Sequence, residues 1–141
     1  MAVEPADEIV TLHVFFESWL GEDGANPVDL AEFARFEETL AADFSMVTPS
    51  GARIEREPLV ELLHRGRGSR PGLVISIRNV RRIAEEGGLT WVSYEEWQKD
   101  DDHGEKGRAS VALLERSPAG PRGWIWRFVQ ETWLPPGEDL P

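Results

Sequence analysis

Cysteine is absent from this 141-residue chain, so disulfides, thiol nucleophiles and cysteine-ligated zinc or iron–sulfur centres are excluded. Positive charge is scarce: 15 Lys and Arg against 26 Asp and Glu leave a formal net charge of -11. That balance argues against wrapping nucleic acid or adhering to an anionic membrane, and neither partner is expected. No apolar run reaches the roughly 20 residues of a membrane-spanning helix. The first twenty residues hold Glu4, Asp7, Glu8 and Glu17 and no Lys or Arg, the reverse of a secretory or organellar leader, so a cytoplasmic protein is expected. Metal-ligand spacing is missing as well. Asp100, Asp101, Asp102, His103 and Glu105 lack the alternating ligands and distant Glu of a calcium loop, and read as an exposed, dispensable connection. His64 with Arg65, Arg67 and Arg70 lies among glycines that match neither a P-loop nor a dinucleotide fingerprint. No metal and no cofactor is expected.

What is present is ordinary globular material, with 40% hydrophobic and 29% charged residues. The length suits one domain over residues 1–141, with a core over about 6–134 and a short polar tail, 135–141. Charge is uneven along it. Residues 1–50 carry eleven acids and one base, and residues 51–84 carry eight bases and three acids. Either the basic middle pairs internally with its acidic flanks, or it lines a pocket for an anion.

Pro5, followed by Asp7 and Glu8, opens a helix whose apolar stripe runs through Ile9, Leu12, Phe16 and Trp19 and ends at Gly21. Asn26-Pro27 predicts the start of a second helix, closing near Asp43. Phe44 to Thr48 alternates as a short strand before the Pro49-Ser50-Gly51 turn, and a third helix around Pro58 buries Leu59, Leu62 and Leu63. Four strands follow: Leu73 to Glu85, Leu89 to Lys99 across a Gly87-Gly88 turn, Ala109 to Arg116, and Trp124 to Leu134. Helices and strands are segregated, which makes the fold α+β: three N-terminal helices packed on a strongly curved, mostly antiparallel sheet.

That order resembles the nuclear transport factor 2-like superfamily, the cystatin-like or cone-shaped α+β fold. DFSMVTPSG after the second helix is similar to its strand-turn. WIWRFVQETWL is similar to the last strand of the calcium/calmodulin-dependent kinase association-domain and SnoaL-like relatives, with Trp124, Trp126, Glu131 and Thr132 in the matching positions. The resemblance implies a conical cavity between helices and sheet. It also implies a small-molecule-binding or protein-interaction domain and a homodimer through the sheet face. The alternative it implies is a ketosteroid isomerase- or polyketide cyclase-like enzyme using acid–base groups in the cavity. Phe128 and Gln130 stand where such relatives often carry histidine.

Within that frame the candidate cavity residues are His13, Tyr94, Glu96, Trp126 and Gln130. His13 lies on the buried stripe of the first helix, either as a core histidine bonded to a neighbour or as a cavity group. Tyr94 and Glu96, two apart on one strand, share a face, with Trp91, Ser93, Glu95 and Trp97 on the other. Burial would raise the Glu96 pKa and fit it for acid–base work. Arg81, brought opposite by the Gly87-Gly88 turn, is expected to pair with Glu96 or Tyr94. Alternation puts Trp126 and Gln130 on one face of the last strand as cavity wall. A small apolar or carbonyl-bearing ligand is expected, and a carbonyl would accept a hydrogen bond from Tyr94 or His13.

Overall fold

The computed structural model describes residues 2–135; most of the expected tail, 136–141, lies outside the described residues. Three helices, α1 (Pro5–Leu20), α2 (Leu30–Glu38) and α3 (Arg56–Arg65), accompany six strands. The strands are β1 (Leu40–Val47), β2 (Arg53–Glu55), β3 (Val74–Glu86), β4 (Leu89–Lys99), β5 (Lys106–Arg116) and β6 (Trp124–Trp133). They form one sheet in the order β2-β1-β6-β5-β4-β3. Only the β1–β6 pairing is parallel, so the α+β architecture with a mostly antiparallel sheet is as expected.

Helix α1 starts at Pro5, and Gly21 closes it by donating its N–H to Glu17 O at 3.0 Å. Helix α2 begins three residues later than Asn26-Pro27 predicts. The Asp23 carboxylate holds the amides of Ala25 and Asn26 in a turn, at 2.8 and 3.0 Å. Asp29 supplies the cap instead, accepting from Ala31 N at 3.0 Å. The helix also ends early. The Thr39 hydroxyl donates to Phe36 O at 2.6 Å, and Thr39 O accepts from Trp126 N at 2.7 Å, which pulls the chain out of the helix and onto β6. Residues 40–43 are therefore strand rather than helix. Helix α3 buries Val60 and leaves Leu62 exposed, contrary to expectation, because Leu59, Val60 and Leu63 form the stripe facing the sheet.

Strand β4 spans Leu89–Lys99 as expected, across a two-residue turn in which Gly87 and Gly88 both take positive φ. Side-chain alternation is broken in several places, including a shift between Leu40 and Ser45 where β1 meets β6. In β3 the register slips between Arg82 and Ala84, and again between Arg78 and Arg81 around Asn79, whose φ is 56°, a conformation Asn tolerates better than most residues. In β6 Arg127 is the extra residue, since Leu113 pairs with Phe128 while Leu114 pairs with Trp126. One inserted residue turns every later side chain to the other face of the sheet. Trp124, Trp126, Val129 and Glu131 consequently face the helices and are buried. Phe128, Gln130 and Thr132 face away.

The core packs α1 and α2 through the aromatic rings of Phe15, Phe16, Trp19, Phe33 and Phe36, with centroids 4.7–6.1 Å apart. Beneath α1 lies Glu8, which is fully buried. Arg122 donates to both of its oxygens at 2.7 and 3.0 Å, and Trp126 Nε1 adds a third bond at 2.8 Å. A buried carboxylate needs this much partnering to stay charged. The bonds fasten the first turn of α1 to the start of β6.

Candidate functional site

A cavity of about 250 Å³ opens between α1, α3 and the inner face of the sheet. Its apolar wall is formed by residues such as Phe16, Leu20, Phe36, Leu59 and Leu63. Its polar groups gather on the sheet and beneath α1: His13, Tyr94, Glu96, Gln98, Arg108 and Glu131, with Arg70 at the rim. His13, Tyr94, Glu96 and Trp126 come together here as expected. Gln130 does not: the β6 bulge turns it to the outer face, where it is exposed, and puts Glu131 in its place.

His13 is one helical turn after Ile9 and sits against the β4 floor. One ring nitrogen, Nδ1, is 2.7 Å from Ile9 O, and the other, Nε2, is 3.1 Å from Glu96 Oε1. Bonded to a carbonyl and a carboxylate, the ring has a use for protons on both nitrogens. Tyr94 and Phe16 pack edge-on against it, with centroids 5.5 and 5.4 Å away. Burial works against the imidazolium, but the charge and hydrogen bond of Glu96 outweigh it, so the His13 pKa is raised. Burial likewise opposes charge on Glu96, and the attraction of His13, helped by Arg108 and Gln98, brings its pKa down to about 2. Burial alone predicted a raised value for Glu96; the His13 partner reverses the sign. Arg81 plays no part, because the β3 register slips pair it with Ser93 and put Ile77 opposite Glu96.

Glu131 behaves in the opposite way. Burial, followed by the charge of Glu96, raises its pKa, and Arg108 only partly offsets them. Arg108 Nη1 donates to Glu131 Oε1 at 3.2 Å, and the Ser110 hydroxyl donates to Oε2 at 3.4 Å. Burial first, then the Glu96 and Glu131 charges, push the Tyr94 phenol well above its usual range, which leaves it a hydrogen-bond donor.

A hydrogen-bonded chain leads from this floor to the surface. Gln98 donates to Glu96 Oε2, Arg70 donates to Gln98, and Arg70 grips Asp100 Oδ2 at 2.8 Å. Asp100 Oδ1 takes a bond of 2.9 Å from His103. Burial of Asp100 is outweighed by the bonds from His103 and Arg70, and its pKa is lowered. The 100–103 loop is therefore a structural brace at the cavity rim, not the dispensable connection its polarity suggests. The basic middle of the chain is internally paired. Arg53, Arg56, Arg65, Arg67, Arg70, Arg78 and Arg82 all sit in ion pairs, and among the described residues Arg81 alone of that set does not. Among the described residues no cluster of His, Cys, Asp or Glu could hold a metal ion.

Sequence reasoning missed Glu131, Arg108, Gln98 and Arg70 as cavity residues. Gln98 and Arg108 were within reach: period-two alternation from Glu96 gives Gln98, and cross-strand pairing of Glu96 gives Arg108. Glu131 was not, since nothing in its strand marks Arg127 as a bulge.

The depressed Glu96 pKa stabilises the fold above pH 4.5 and loses its effect as pH falls toward 2. The raised His13 pKa stabilises the fold below pH 6.5 and loses its effect as pH climbs through the higher folded value. An NMR titration of the His13 ring should give a pKa above 6.5. In Glu96→Gln the two largest raising causes are gone, burial is opposed only by the Ile9 carbonyl and the Glu131 charge, and the value should fall below that of the parent protein. An unchanged pKa in that variant would contradict the pairing.

No protein-family model and no curated protein matches the sequence. Solved structures do. An NTF-2 like protein of unknown function from Pseudomonas aeruginosa is 32% identical, with a TM-score of 0.82 over 92% of this chain and 98% of that one. A cystatin-like fold protein of unknown function from Nostoc punctiforme is 13% identical, with a TM-score of 0.63 over 96% of this chain and 97% of that one. The CaMKII hub of S. rosetta is 9% identical, with a TM-score of 0.66 over 95% of this chain and all of that one. The last two share the fold alone. Taken with the first, at 32% identity across nearly the whole of both chains, the helices, the mixed sheet and the cavity beneath α1 make this chain a member of the NTF2-like family.

Proposed function

We propose that the chain binds a small amphipathic molecule in the cavity beneath α1. The observation that carries this is the division of the cavity wall. Apolar side chains from the helices face a floor of Tyr94, Glu96, Arg108 and Glu131 across about 250 Å³. Small-molecule sites typically enclose about 300–1,000 Å³, mostly apolar, with a few convergent polar groups. A volume just under that range suits a one-ring compound. Acid–base catalysis with Glu96 as base is the weaker reading, because a carboxylate held at about 2 is a poor proton acceptor at neutral pH.

Thermal-shift screening of one-ring compounds tests the binding reading. At tenfold excess over Kd a true ligand should raise the midpoint by about 3–6 °C. Leu59→Trp, which fills the cavity from α3, should remove the shift while the protein stays folded. A shift that persists in Leu59→Trp would move the ligand elsewhere.

We also propose a homodimer through the outer face of the sheet. Ala84, Trp91, Leu113 and Phe128 are consecutive cross-strand partners over four strands, forming an apolar row on that face. Trp91 is 37% exposed. Trp124 and Trp126 are buried in the core, and the outer aromatic surface comes from Trp91, Trp97 and Phe128. Light scattering should report the mass of two chains at micromolar concentration, and Leu113→Glu should give a folded monomer. A monomeric parent protein would contradict this.

A further inference from the structure

The two ion pairs on the cavity floor differ in how completely they are satisfied. His13 uses both ring nitrogens and Glu96 both oxygens in bonds within the protein. Neither has much left for a ligand. Arg108 spends one N–H on Glu131, at 3.2 Å, and its Nε is buried with no hydrogen-bond partner. A guanidinium carries five N–H donors, and charge-assisted bonds from it normally measure about 2.7–2.9 Å. Its face stacks on Trp133 at 4.7 Å, which fixes its plane, and Lys106 Nζ lies 3.7 Å over the same ring. Glu131, 7% exposed, is held only by that Arg108 bond and a 3.4 Å bond from Ser110. The loosely tied pair lines the cavity, beside an apolar wall.

Resting on the binding reading above, we infer that the cavity takes a small monocarboxylic acid, its apolar body against α1 and α3 and its carboxylate between Arg108 and Glu131, with one proton shared between the two carboxyl groups. A carboxylate accepts from the unspent Arg108 donors in the bidentate manner that a planar guanidinium favours. An amine has donors only and would meet the Arg108 guanidinium, which also has only donors to offer. A second carboxylate next to Glu131 is tolerated only when one of the two holds a proton, since like charges sharing a site cannot both ionise. The groups facing Glu131 are Arg108 and Ser110 from β5, Glu96 and Tyr94 from β4, and His13 from α1. Arg108 and His13 favour ionised Glu131, whereas burial and Glu96 oppose it, so an arriving anion finds a carboxyl already disposed to protonate. The step is simple in its balance: an ionised acid and one proton leave solvent, and no covalent bond changes.

Calorimetry at pH 7.5 with 3-phenylpropionate, 3-phenylpropionamide and 3-phenylpropylamine, in two buffers of different ionisation enthalpy, tests the inference. The carboxylate should bind at least about tenfold more tightly than the other two, a difference of about 1.4 kcal/mol, and should take up a proton. Glu131→Gln, a neutral stand-in for the protonated acid, should keep carboxylate binding and lose the proton uptake. Arg108→Met should lose carboxylate binding at least tenfold. Tighter binding of the amide or the amine would overturn the ligand class while leaving the cavity as a binding site. Carboxylate binding without uptake, or uptake that survives in Glu131→Gln, would overturn the shared proton. If none of the three compounds binds and none shifts the midpoint, the binding reading fails along with the inference.

Discussion

Helix α1 is fastened to the sheet by two buried charges, and the cavity exists because both are satisfied. Glu8 ties its first turn to Arg122 and Trp126, and His13 ties its middle to Glu96. The two residues are five apart on the helix, so the attachments act at different points along β6 and β4. An all-apolar α1 would be free to settle flat onto the sheet and close the space. A helix pinned through polar contacts keeps its distance, and the residues between the pins, Ile9 and Leu12, supply the packing. Burying these charges carries a desolvation cost that only full pairing offsets. Each of the two carboxylates accordingly has protein partners on both oxygens.

What the cavity contains is then decided by register. Much of the fold was legible from local signals: Pro5 and Gly21 bound α1, the paired glycines set the β3–β4 turn, and alternation in β4 puts Tyr94 and Glu96 on one face with Trp91 and Trp97 on the other. The bulges were not legible. A bulge adds one residue to a strand without changing its composition, so Trp126 and Gln130 look like neighbours on a face they do not share. Arg81 was expected opposite Tyr94 or Glu96 for the same reason, since the slip between Arg82 and Ala84 moves it onto Ser93. The end of α2 was hidden differently. Leu40 to Asp43 has helical spacing, and only the long-range bond from Trp126 N to Thr39 O shows why the chain leaves the helix there.

The polar floor has a division of labour that composition could not reveal. His13 and Glu96 form a closed unit, extended through Gln98 and Arg70 to the braced 100–103 loop. Arg108 and Glu131 form an open one, with unspent donors beside a carboxyl that resists ionisation. Burial opposes charge on both carboxylates, and their pKa values part because only Glu96 is hydrogen-bonded to His13, while Glu131 meets the charge of Glu96. Divergent environments for paired carboxyl groups mark places where protons and ligands are exchanged. The proposed ligand site puts that exchange at Glu131.

The division between a closed pair and an open pair can be measured directly by double-mutant cycles on folding stability without any ligand. For His13→Gln and Glu96→Gln the coupling should be on the order of 1–3 kcal/mol, as for contacting groups in one buried network. For Arg108→Met and Glu131→Gln it should be smaller, near about 0.5 kcal/mol, the lower end for residues in contact. A strong Arg108–Glu131 coupling with a weak His13–Glu96 coupling would contradict the account, because the pair assigned to the ligand would then be the one that holds the fold.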